Sequence, residues 1–143
     1  MKLYRIVHKS IANLLELDSL TGCDHHSKLP FIRAYDSIAM AVLEHPVGGY
    51  LADLPDKFRI LEYMLPDGSV EIVKELRYNL YASPREGSPK FGDWAWRFLI
   101  KEAALVAQIP SLKWKWGSIY IINPKHPYFD KAGIKEVKPI QTP

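Results

Sequence analysis

Apolar positions in this chain fall into short blocks of changing period, separated by polar, Pro- and Gly-containing stretches. Leu3 to Val7 is a β-rich opening block and predicts a strand. Ser10 to Leu17 places Ile11, Leu14 and Leu15 behind a serine suited to an N-cap, which predicts a helix. Asp18 to Lys28 is polar, contains Gly22 and reads as a loop. Pro30 to Ala34 predicts a short strand. Asp36 or Ser37 then caps a second helix, with Ile38, Ala41, Val42 and His45 at helical spacing and Pro46 as its stop.

Gly48-Gly49 opens another loop that Pro55 extends. Phe58 to Leu65 is apolar and β-rich, and Pro66-Asp67-Gly68 closes it with turn chemistry. Val70 to Leu76 fits either period. Tyr81 to Gly92, with two Pro and two Gly, reads as a long exposed loop, and Asp93 to Ala104 as a helix. Leu105 to Ile109 and Ile119 to Ile122 predict strands, the second ended by Asn123-Pro124. Weak alternation through Ile134 and Val137 predicts an edge strand in the tail. Strands and helices mix without a regular βαβ rhythm. The expected fold is therefore α+β, with one twisted, largely antiparallel sheet and packed helices.

Composition sets bounds on this picture. The chain has 143 residues, 48% of them hydrophobic and 24% charged, which suits one domain spanning 1–143 with a real core. No apolar run approaches the roughly 20 residues of a membrane span, and no secretion signal is read at the N-terminus. The net charge of +3 is mild and spread along the chain, unlike the basic stripe of a duplex-binding domain, so direct nucleic-acid binding is not expected. An acidic small molecule or acidic protein partner is compatible with it. One cysteine, Cys23, cannot form an internal disulfide, and a cytoplasmic location is expected.

Three groups of residues carry candidate chemistry. Cys23, His25 and His26 suggest metal ligands, but a structural zinc site needs four, normally as two spaced pairs, and the second pair is missing. A polar loop and a substrate-contacting histidine remain as readings. Glu44 sits near the end of a mostly apolar helix, where a carboxylate either faces solvent, as composition favours, or lines a cleft. Ser37, Met40 and Glu44 occupy adjoining positions of one helix face, beside the apolar stripe. Trp94, Trp96, Trp114 and Trp116 suit base stacking. However, Lys113-Trp114-Lys115-Trp116 alternates as a half-buried strand does, which favours core packing.

Several stretches together resemble the RES domain family. They are Leu3-Tyr4-Arg5-Ile6, Pro30-Phe31-Ile32 and Asp36 through Glu44. Gly92-Asp93, Ile109-Pro110-Ser111 and Ile119 through Phe129, with Asn123-Pro124-Lys125-His126-Pro127, complete the pattern. The resemblance runs over nearly the whole chain, and its C-terminal part is the most specific. It implies a fold similar to ADP-ribosyltransferase toxins and the toxin role in a bacterial toxin–antitoxin pair, neutralised by a DNA-binding antitoxin of the Xre type. It also implies consumption of NAD, by degradation or by ADP-ribosylation of a target protein, without a metal. Glu44 falls on the family glutamate and Ser111 on the family serine. Two positions depart from the pattern: Cys23 stands where the family has arginine and Arg33 where it has tyrosine. The departure leaves two expectations, an active branch using other groups or a catalytically silent binding protein. In the active branch, Arg33 would take the pyrophosphate, His25 would help hold the ribose and Tyr35 would stack on the rings.

Overall fold

The computed structural model describes residues 1–9, 16–18, 29–44, 57–68, 70–72, 89–111 and 117–137. Among these residues eight strands follow in chain order: β1 (Lys2–His8), β2 (Glu16–Asp18), β3 (Leu29–Ala34), β4 (Phe58–Met64), β5 (Val70–Ile72), β6 (Val106–Pro110), β7 (Ser118–Ile122) and β8 (Gly133–Val137). Helix α1 (Ile38–Glu44) follows β3, helix α2 (Pro89–Lys101) precedes β6, and a 3-10 helix (Pro127–Lys131) leads into β8. The α+β expectation holds.

The strands form two sheets rather than one. The first has the order β1-β4-β8 and is antiparallel throughout. The second has the order β2-β3-β7-β6-β5, with one parallel pair, β5 on β6. Among the described residues they join at an antiparallel bridge just beyond β3. Tyr4 N–H donates to Tyr35 O at 2.6 Å, and Tyr35 N–H returns to Tyr4 O at 2.8 Å.

Alternation along the strands explains three apolar layers. Leu3, Val7, Leu61 and Tyr63 of the first sheet pack on Ile32, Ala34, Val106, Tyr120 and Ile122 of the second. The other face of the first sheet gives Ile6 and Ile60 to a cluster with Tyr35 and the α1 residue Ala41. The other face of the second sheet gives Phe31, Ala107, Ile109 and Ile121 to α2, which contributes Phe98 and Leu99. Each Val, Leu, Ile or Phe side chain among them, fully buried, contributes on the order of 1.5–3 kcal/mol. Burial holds the Tyr120 phenol above the ordinary tyrosine value, and the negative charge of Asp36 adds to the effect.

Several local expectations change under tertiary pairing. Glu16 and Leu17, read as the end of a helix, are strand residues opposite Phe31 and Pro30. Main-chain pairing to β3 overrides their local helical preference there. The stretch read as a loop to Gly92 is already helical from Pro89, a residue that suits the first turn because its missing N–H has no partner there anyway. The same helix stops at Lys101 rather than Ala104, and Glu102 takes a left-handed φ of 51° that turns the chain toward β6. Val70–Ile72 resolves as strand. The tail does add the edge strand β8. Gly68, with φ 99°, makes the expected turn after β4. The four-residue Lys–Trp alternation and the loop containing Cys23, His25 and His26 lie outside the described residues.

Strand β8 is fastened partly by charge. Glu62 on β4 is buried, and opposite it Lys135 places Nζ 3.3 Å from Glu62 Oε1 while remaining 68% exposed. Removing the lysine leaves the carboxylate buried without its cation. Lys135→Ala is therefore expected to destabilise the fold by about 1–3 kcal/mol. Adding Glu62→Gln to that variant should restore most of the loss. Urea unfolding of the two variants and wild type measures both effects, and a neutral Lys135→Ala would reduce the pair to an exposed contact.

Candidate active site

Helix α1 is short, and its placement rests on a few contacts. Ser37 Oγ accepts the Met40 N–H at 3.1 Å and Ser37 O accepts the Ala41 N–H at 3.1 Å, so Ser37 is the cap and Asp36 is not. Ala41 is buried, and Ile38, Met40 and Val42 pack partly against the same cluster. The helix carries one charged residue, Glu44, at its last position, with no basic residue in its last turn. A carboxylate at the negative end of a helix is electrostatically unfavourable. An outside donor offsets this, because Ser111 Oγ–H donates to Glu44 Oε1 across 67 residues of sequence.

Ser111 lies just past the end of β6 and is 2% exposed. Its N–H donates to Gly117 O at 2.9 Å, which carries the β6–β7 pairing one step beyond the ladder. Since side chains alternate, Ala107, Ile109 and Ser111 share the face of the second sheet that α2 covers in part. Glu44 is half-buried. A half-buried carboxylate with an oriented hydroxyl can stabilise a developing positive charge or take a proton from an attacking group.

The other expected residues are distributed differently. Arg33, on β3, is exposed and makes no hydrogen bond or ion pair among the described residues. It lies opposite Ile121, which lies opposite Ala107, so its side chain leaves the sheet on the same face as Ser111. Four residues along β6 and two strands across separate the Arg33 and Ser111 backbones by about 16 Å. Tyr35 is 7% exposed and packs with Ile6, Ala41 and Ile60, so its ring belongs to the core rather than to an open surface. His25 lies outside the described residues. Among the described residues no group of His, Cys, Asp and Glu has the makings of a metal site.

Several buried polar residues were given no role from sequence. Arg5 is 6% exposed in the middle of β1, in phase with the core residues Leu3 and Val7. Its charge at an inward phase was the available signal. Arg59, opposite Val7, shares that face. Asn123 and His126, both within the Asn123-Pro124-Lys125-His126-Pro127 stretch, are 0% and 8% exposed. Compared with known proteins, the chain matches no family model and no curated protein.

The cap should control the site because so short a helix has little intrinsic stability. Ser37→Ala is expected to cost about 1 kcal/mol, and Ser37→Asp to recover most of it. Thermal unfolding reads the stability. A nuclear magnetic resonance shift of the Glu44 carboxyl in Ser37→Ala but not in Ser37→Asp would show that the cap holds the carboxylate in place.

Proposed function

We propose that this chain is an NAD-consuming domain of the RES type, acting as the toxin of a bacterial toxin–antitoxin pair in the cytoplasm. The observation that carries the reading is the hydrogen bond between Glu44 and Ser111. These are the two residues that the resemblance singles out, and they come from elements distant in sequence. The two-sheet α+β arrangement is read as a variant of the ADP-ribosyltransferase fold.

In the reaction, the bond between nicotinamide nitrogen and ribose carbon breaks, and nicotinamide leaves with the bonding electrons. Positive charge develops on the ribose as an oxocarbenium-like state. The Glu44 carboxylate stabilises that charge, and Ser111 holds the carboxylate in place by donating to one of its oxygens. Water, or a nucleophilic side chain of a target protein, then attacks the ribose carbon and gives its proton to Glu44. Water yields ADP-ribose, and a side chain yields an ADP-ribosylated protein. Arg33 presents a guanidinium on the same sheet face, where it can pair with the pyrophosphate. An antitoxin of the Xre type would cover this face and hold the toxin silent.

A second reading, a silent RES-like binding protein, draws on the burial of Tyr35 and on Cys23 at the family's arginine position. Both remove groups that an active site of this type would use.

Glu44→Gln is expected to abolish NAD turnover by the purified protein and toxicity on expression, with an unchanged circular dichroism spectrum. Equal turnover in wild type and variant would sink the catalytic role, and absence of turnover in wild type would favour the silent reading. Arg33→Ala should weaken NAD binding by about 1.5–3 kcal/mol, the range of a charge-assisted hydrogen bond. Arg33→Lys should recover only part, because the forked donor geometry is lost. Calorimetric titration decides this, and unchanged affinity in Arg33→Ala would leave the residue as a surface charge.

A further inference from the structure

Asn123 is fully buried at the exit of β7, and its bonds reach three elements. Its side-chain Nδ2 donates to Leu99 O in the last turn of α2 at 3.1 Å. Its backbone N–H donates to Leu105 O, just before β6, at 2.8 Å. Its Oδ1 accepts the Lys125 N–H at 3.1 Å, and its carbonyl accepts the His126 N–H at 3.1 Å. His126 then caps the 3-10 helix by accepting the Tyr128 N–H on Nδ1. The end of α2, the start of β6 and the turn after β7 are thus fastened at one side chain.

We propose that Asn123 is a positioning residue for the Glu44–Ser111 pair, acting through the alignment of β6 on β7. The inference rests on the functional reading above for its activity readout, but not for its structural one. Ser111 reaches Glu44 only while Pro110 lies opposite Ser118 and Ser111 bonds Gly117. Strand β5 pairs only with Val106, Ala107 and Gln108, so among the described strands β7 alone holds the last part of β6. Because side chains alternate, a slip of one residue would turn Ser111 to the opposite face, away from Glu44. A lesser slide along the strand would stretch their hydrogen bond. Asn123 opposes such a slide in two ways. Its backbone bond to Leu105 sets where β6 begins, and its Nδ2 bond fixes the end of α2, from which the chain turns through the left-handed Glu102 into β6.

The test compares wild type with Asn123→Ser, which keeps an oxygen able to accept the Lys125 N–H but lacks the Nδ2 donor. Asn123→Asp, which preserves the shape, serves as a second variant should the first fail to fold. The structural readout is hydrogen exchange at the Ser111 amide, expected about tenfold faster in the variant, with the β1 amides unchanged. The functional readout is NAD turnover: kcat should fall about three- to tenfold with little change in KM, and the fall should vanish in a Ser111→Ala background. Unchanged protection of the Ser111 amide overturns the proposal whether or not the protein turns over NAD. So does a loss of kcat that persists in full without Ser111. Absence of turnover in wild type overturns the functional reading alone, and the exchange measurement still decides the role of Asn123.

Discussion

The reciprocal backbone hydrogen bonds between Tyr4 and Tyr35 are the joint on which the remaining arrangement depends. They attach the first sheet to the second where β3 has just ended and α1 is about to begin. At this joint β1 is buried on both faces, with Leu3 and Val7 toward the inter-sheet core and Ile6 toward α1. Tyr35 is held by its backbone in the bridge and by its ring in the α1 cluster. The direction in which α1 leaves the sheet follows from that double attachment, and with it the position of Glu44.

Glu44 meets Ser111 because two independent constraints converge. One is the short capped helix, fixed at Ser37 and Ala41. The other is the β6–β7 pairing, fastened near Leu105 by Asn123 and extended at the far end by the Ser111–Gly117 bond. Neither element carries much stability of its own. The pairing of a helix-terminal carboxylate with a buried hydroxyl runs against the local electrostatic preference of the helix, and the core around it makes that placement tolerable. Sites where local rules are broken and tertiary contacts compensate are where function concentrates.

Charged residues at inward-facing strand positions are a second theme. Arg5 shares its face with Leu3 and Val7, while Glu62 faces the other way and draws its cation from the edge strand. Such residues restrict how the strands can align, because a slip would strand a buried charge without its partner. They also make β8 more than a passive edge, since its Lys135 lies across from Glu62.

The sequence by itself determined the local elements whose signals are local: β1, β3, β4, β6 and β7, a helix cap at Asp36 or Ser37, the Asp67-Gly68 turn and the edge strand at the tail. Hydrophobic period, capping chemistry and turn residues act within a few positions, so they are legible along the chain. The resemblance likewise singled out Glu44 and Ser111, and left open whether Ser111 bonds Glu44 or the nicotinamide amide. Only the tertiary structure decided that Glu16 and Leu17 are strand, that the strands divide into two sheets, and that β5 runs parallel to β6. It also decided that Tyr35 turns into the core and Arg33 out of it. These outcomes depend on main-chain pairing and burial between segments far apart in sequence, whose energies exceed local propensity and leave no periodic mark on the residues themselves.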